Sequence, residues 1–104
     1  MKQVVVSQTG SGNSAAIGTD LYISPFNVGF GVVVASTVDY TVQHTFDNLQ
    51  TTASPTWFDH PTIFELDANA DGNYAFPVAG IRVKVNSGGG TATLTAIQAG
   101  IAVS

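Results

Sequence analysis

The strongest signal along the chain is strict alternation. In residues 39–47, Tyr40, Val42, His44 and Phe46 share one parity and Asp39, Thr41, Gln43, Thr45 and Asp47 the other. That is the period of a strand with one buried and one wet face. Residues 78–86 repeat it, setting Ile81, Val83 and Val85 against Arg82, Lys84 and Asn86. Residues 91–99 follow Ser87-Gly88-Gly89-Gly90, which reads as a hairpin connection. Residues 28–36 are more continuously apolar, as expected of a strand covered on both faces. There Gly29 and Gly31 alternate with Val28, Phe30 and Val32, so one face is nearly bare backbone, suited to the close approach of another backbone or a ring. Shorter strands are expected at 3–7, 21–24 and 62–66. No long stretch has apolar residues at helical spacing, and Val, Thr, Ile and aromatics dominate. The pattern predicts an all-β fold, an antiparallel β-sandwich or jelly-roll-like barrel of about seven or eight short strands. Residues 1–104 make a single β domain, in which 8–18, rich in Gly, Ser and Asn, reads as a flexible loop or arm.

Composition narrows what such a domain does. Charged residues make up 10% of the 104 positions, and only Lys2, Arg82 and Lys84 are basic, for a net charge of -4. Nothing here neutralises a run of phosphates, so nucleic acid is not an expected partner. Neutral hydroxyls and amides replace the missing charges, and these lose less than ions do when a partner covers them. Cysteine is absent, which removes disulfides and thiolate metal sites as staples. A lone domain of this size has a thin stability margin, and a partner surface would widen it. The opening residues lack the apolar stretch of a signal peptide, and no segment nears the roughly 20 apolar residues of a membrane span. A protein made and kept in a cytosol, or built into a particle there, is expected, with no membrane partner.

The residues that invite chemistry have plainer readings. His44 lies on the apolar parity of its strand, the place of a satisfied core histidine. His60 sits in Trp57-Phe58-Asp59-His60-Pro61, a bulky turn closed by proline, where packing and a local hydrogen bond are expected. Glu65 and Asp67 flank Leu66, too little to argue hydrolysis. Asp67, Asn69 and Asp71, with Gly72 sixth, match the first half of a calcium loop, but the twelfth position is Val78 in place of a bidentate glutamate. Calcium is thereby the weaker reading, and Asp71-Gly72-Asn73 is expected as a turn. Trp57, Phe58, Tyr74 and Phe76 make either an aromatic platform for a sugar or peptide or a packing cluster, the second favoured by the prolines that close both segments. Ile101 and Val103, in the apolar end of the chain, are candidates for packing on a neighbour. No enzyme and no obligatory cofactor is expected.

Several segments taken together resemble small virion structural proteins of tailed bacteriophages. They are Tyr40-Thr41-Val42-Gln43-His44-Thr45-Phe46-Asp47, Thr56-Trp57-Phe58-Asp59-His60-Pro61, residues 70–78, Ile81-Arg82-Val83 and residues 93–100. The resemblance covers most of the chain from Val28 onward. It implies a capsid decoration or cement protein on the virion surface, made in the host cytoplasm, that binds the shell of the major capsid protein. It also implies a homo-oligomer, with a trimer favoured, and no catalytic residues. A tail, connector or fibre-associated component is the alternative within the virion. A carbohydrate-binding module using Trp57, Tyr74 and Phe76 is the alternative outside it.

Overall fold

The computed structural model describes residues 3–98 and 101–102. In chain order its strands are β1 (Val4–Thr9), β2 (Gly12–Asn13), β3 (Ile17–Gly18), β4 (Ile23–Ser24), β5 (Val28–Ala35), β6 (Asp39–Thr45), β7 (Trp57–Asp59), β8 (Ala70–Tyr74), β9 (Gly80–Ser87), β10 (Thr91–Gln98) and β11 (Ile101–Ala102). Two antiparallel sheets pack face to face as a β-sandwich. The first has the order β1-β10-β5-β8 and the second β2-β9-β6-β7, with β3 also on β9. A small pair, β4 with β11, lies apart from both. The core forms where inward parities meet, Val28, Phe30, Val32 and Leu94 from the first sheet against Tyr40, Val42, Ile81 and Val83 from the second. The long runs fold as strands, but β5, expected to be covered on both faces, leaves its outward parity uncovered, with Val33 59% exposed.

Connections depart from the sequence reading. The Ser87-Gly88-Gly89-Gly90 segment closes no hairpin, because β9 belongs to the second sheet and β10 to the first. It is an arch between sheets, and it packs on a second arch at 36–38 that carries β5 into β6. Gly90 donates its N–H to the Thr37 carbonyl at 3.0 Å and accepts from Gly10 N–H at 3.0 Å. Three crossings thus stack backbone on backbone at one end of the sandwich. A β-carbon at Gly90 would overlap the Ala35 carbonyl oxygen, and one at Gly88 that of Thr37. The glycines serve this close approach, and Gly88 also holds a φ of 94°.

Residues 8–18, expected as a loop or arm, are paired with β9 over part of their length. Gly12 and Asn13 pair with Val85 and Lys84, and Ile17 and Gly18 with Ile81 and Gly80. Between them, Ser14 exchanges two bonds with Val83: its N–H gives to the Val83 carbonyl at 2.9 Å and its Oγ accepts from Val83 N–H at 3.0 Å. Ile17 is buried in the core. A polar, glycine-rich composition hid an edge segment whose stability comes from β9, with one isoleucine as its anchor.

Two further expectations fail together. Residues 62–66 are a bent segment and not a strand, joined to β6 by the isolated bridge Leu66 to Tyr40 and by Val42 N–H to the Ile63 carbonyl at 2.9 Å, with Glu65 at a φ of 52°. Asp71-Gly72-Asn73 is no turn but the middle of β8, paired with Gly31, Phe30 and Gly29. Gly72 faces inward, where a β-carbon would lie 3.1 Å from Phe30 Cζ and 3.3 Å from Ile63 Cγ1. Glycine there makes room for a ring and does not bend the chain. Nor is one face of β6 wet: Thr41, Gln43 and Thr45 are buried as fully as their neighbours. Thr41 Oγ1 accepts from Glu65 N–H at 3.0 Å and Asn86 Nδ2 at 3.0 Å, so the 60–66 segment and β9 cover it.

Candidate functional site

Strands β7 and β8 are the outer strands of their sheets on the same side, and aromatic side chains fill the opening between them. Register places Phe58 beside His44, on the inward parity of the second sheet. Tyr74, the last residue of β8, comes from the first sheet and is fully buried. Its hydroxyl and His44 Nδ1 are 2.9 Å apart, a hydrogen bond that joins the two sheets. The His44 ring lies 4.8 Å from Tyr74, 5.4 Å from Phe46, 5.9 Å from Phe58 and 5.7 Å from Phe76, centroid to centroid. Phe46 is 5.7 Å from Phe58 and 6.3 Å from Phe76, which closes the cluster. These are the spacings at which edge-to-face and offset rings attract. Yet Phe46, Phe58 and Phe76 are 56%, 48% and 43% exposed. The result is an apolar mouth on a buried, hydrogen-bonded floor.

The floor is tuned to be neutral. Burial, with the nearby His60 adding to it and Asp59 opposing, holds the His44 imidazole below its ordinary range. The unfolded chain therefore binds this proton more tightly than the folded one. Stability present at neutral pH is expected to fall as pH drops through about 6.5, and to level off once folded His44 is also protonated. Urea unfolding followed from pH 7.5 to 5.5, above the ordinary carboxylate range, checks this. A His44→Gln variant should lose part of the slope, and an unchanged slope would refute the assignment.

His60 has a purely structural post. Its Nδ1 accepts from Thr62 N–H and Ile63 N–H, both at 3.1 Å, so Nε2 carries the proton and gives it to the Asn73 carbonyl at 3.3 Å. The ring also packs 5.3 Å from Phe30 and 5.0 Å from Tyr74. Both imidazoles are hydrogen-bonded across the sandwich, His44 to Tyr74 and His60 to Asn73.

Trp57 sits one residue before Phe58 and so points to the other side of the sheet. There the Arg82 guanidinium lies 4.2 Å over its ring. Arg82 Nε donates to Gln43 Oε1 at 2.9 Å and Gln43 Nε2 to Asp59 Oδ1 at 2.9 Å. This row ties β9, β6 and β7 together on the outer face, and burial lowers the Arg82 pKa. Trp57, Tyr74 and Phe76 thus form no shared platform: one is roofed by an arginine, one is buried and one is exposed.

Beside the mouth, Phe46 also walls an open groove of about 310 Å³, with Leu21, Tyr22, Leu49 and Ala79 among its lining. Leu21 and Tyr22 are exposed. Their segment is anchored by Gln98, whose amide accepts from Asp20 N–H and donates to the Asp20 carbonyl, each at 2.8 Å.

The calcium reading does not gather its ligands. Asn69 Oδ1 already accepts from Val34 N–H at 2.9 Å, and Asp71 stands on the outer face of β8. Among the described residues, no three acidic or imidazole side chains converge. Of the packing candidates, Phe58, Tyr74 and Phe76 come together and Trp57 does not. For Ile101 only the backbone pairing with Ser24 is described, and Val103 lies outside the described residues. Sequence reasoning missed Phe46, Leu21 and Tyr22. The available signal for Phe46 was its place at the very end of an alternating run, against Asp47-Asn48, where a strand leaves the core. No protein-family profile, curated protein or solved structure matches the chain.

Proposed function

We propose that this chain is a non-catalytic virion structural protein of a tailed bacteriophage, a capsid decoration or cement protein that binds the shell of the major capsid protein through its aromatic mouth. The observation that carries the binding reading is the exposed trio Phe46, Phe58 and Phe76 on a rigid floor of His44 and Tyr74. Preorganised aromatic anchors give large contact area for little loss of side-chain freedom. The adjoining groove extends the same apolar surface. The low charge of the chain supports the reading further, since few ions need desolvation when the surface is covered. The phage assignment rests on the sequence resemblance, as does the expectation of a trimer. The carbohydrate alternative loses its support with the dispersal of Trp57, Tyr74 and Phe76.

Purified protein mixed with capsids and sedimented tests the reading. Wild type is expected to travel with the shell. The triple variant Phe46→Ser, Phe58→Ser, Phe76→Ser should remain folded and bind at least a hundredfold more weakly, equivalent to about 2.7 kcal/mol. Undiminished binding by the triple variant would remove the mouth from the interface. Cryo-electron microscopy of the virion places the chain: density at the tail or connector would move the partner, and density nowhere on the particle would end the virion reading.

A further inference from the structure

The outward positions of the first sheet form a grid that the register fixes. Thr95 lies between Val5 and Gly31, with Asp71 beyond, and Ile97 lies beside Gly29, with Asn73 beyond. Thr93 lies between Ser7 and Val33. Val5, Val33 and Ile97 are 55%, 59% and 52% exposed. Among the described residues, Asp71 is the one charged side chain on this face, and it sits on the edge strand.

Gly29 and Gly31 decide what the face is for. Neither has a positive φ. A β-carbon at either would meet only a backbone carbonyl oxygen at 4.0 Å, an ordinary contact. The described residues thus show no internal need for glycine at either place, and glycine weakens a strand interior through its backbone entropy. Contrast Gly72 in the neighbouring strand, whose missing side chain is filled by Phe30. Among the described residues, nothing fills the two bare positions on β5.

We propose that this face is a two-fold contact between two copies of the chain, with Ile97 of each copy seated over Gly29 of the other. Take an axis along the strands, midway between β5 and β10. Rotation about it lays β10 of one copy on β5 of the other. Ile97 and Gly29 are direct cross-strand neighbours, so the same rotation sets each Ile97 on the opposing Gly29 and each Thr95 on the opposing Gly31. A projection and the flat that receives it occupy one row of one face, which is what an isologous interface requires. Asp71 then faces Val5 of the other copy at the rim, and the two carboxylates fall on opposite sides of the axis. Four strands of this length offer about 500 Å² per copy, or about 1,000 Å² in all, at the lower limit for a specific pair, so a weak dimer is expected. This two-fold contact departs from the trimer that the resemblance implies. It uses a different surface from the aromatic mouth, so it stands or falls separately from shell binding.

Sedimentation equilibrium of the full chain, from low micromolar to near millimolar, tests it. Wild type is expected to pass from monomer to dimer. Gly29→Val should raise the dimer dissociation constant at least tenfold while its monomer melts no lower than wild type, because the chain has room for the side chain. The exchange Gly29→Ile with Ile97→Gly should restore dimerisation, since the rotation then sets Ile over Gly again. Should Gly29→Val fail to fold, Ile97→Ser probes the same contact from the other side and should weaken the dimer as much. Wild type that stays monomeric, a trimer mass, or dimers indifferent to these substitutions would overturn the proposal.

Discussion

Alanine at Gly90 is expected to destabilise the chain by about 3 kcal/mol, whereas alanine at the adjacent Gly89 should stay within about 0.5 kcal/mol of wild type. The contrast follows from where the two glycines lie in the arch. A β-carbon at Gly90 would overlap the Ala35 carbonyl oxygen and press on Val38 Cγ1 at 2.9 Å, while one at Gly89 would meet nothing within 4 Å. The obstacle is backbone of the neighbouring arch, which cannot turn aside as a flexible side chain would. Relief requires the 35–38 arch to move, and Thr37 already bonds Gly90 N–H there. Valine at Gly88 should be at least as harmful as alanine at Gly90, since it combines overlap with Thr37 and a φ of 94° that β-branched residues resist. Thermal or urea unfolding of the three variants decides it. If all three melt with wild type, the arches do not pack as described.

These glycines also explain what was legible in the sequence. Long alternation marked β6 and β9, and a continuous apolar run marked β5, because burial is a local demand that leaves a local trace. Pairing leaves no such trace. Two alternating runs joined by a short glycine turn suit a hairpin and an arch equally well. The choice is made by the 36–38 arch, some fifty residues away, which the glycines must fit. Asp71-Gly72-Asn73 misled for the same reason: glycine freedom and glycine smallness look alike in sequence, and only the approach of Phe30 tells them apart. Residues 8–18 were unreadable from composition because their order is borrowed from β9.

The aromatic mouth was half legible. Phe58, Tyr74 and Phe76 stood out as large rings in short, proline-closed segments. Their partition was hidden, because it depends on parity within β7 and on where β8 ends. Parity sends Trp57 outward to Arg82 and Phe58 inward to His44. The polar row Asp59, Gln43 and Arg82 was equally hidden, since its members come from three strands whose register no local pattern sets. What reads from sequence is thus the inventory of rings, and what the fold adds is which of them stay uncovered.

The other large effect is expected at Tyr74, where alanine should remove about 3–5 kcal/mol, a substantial part of the roughly 5–15 kcal/mol that holds such a domain together. Its ring is fully buried and meets Phe30 at 5.6 Å, His44 at 4.8 Å, His60 at 5.0 Å and Phe76 at 5.6 Å. His60 cannot swing in to fill the space, because it is held by hydrogen bonds to Asn73, Thr62 and Ile63. Phenylalanine at the same place separates packing from polarity. It keeps the ring contacts but leaves His44 Nδ1 without its partner, an expected loss of about 1–2 kcal/mol. Burial and the Asp59 carboxylate push the Tyr74 phenol well above its usual range, so the hydroxyl keeps its proton at every working pH. It can donate to a neutral His44, whereas a protonated imidazole must itself donate and force the hydroxyl to turn. Tyr74→Phe should therefore lose more stability near pH 7.5 than at a pH low enough to protonate folded His44, whose pKa burial holds below its ordinary range. Unfolding free energies of the three proteins at both pH values provide the check. An alanine variant as stable as the phenylalanine variant would mean that the ring is not the floor of the mouth, and Phe46, Phe58 and Phe76 would then lack the rigid support on which their role as anchors depends.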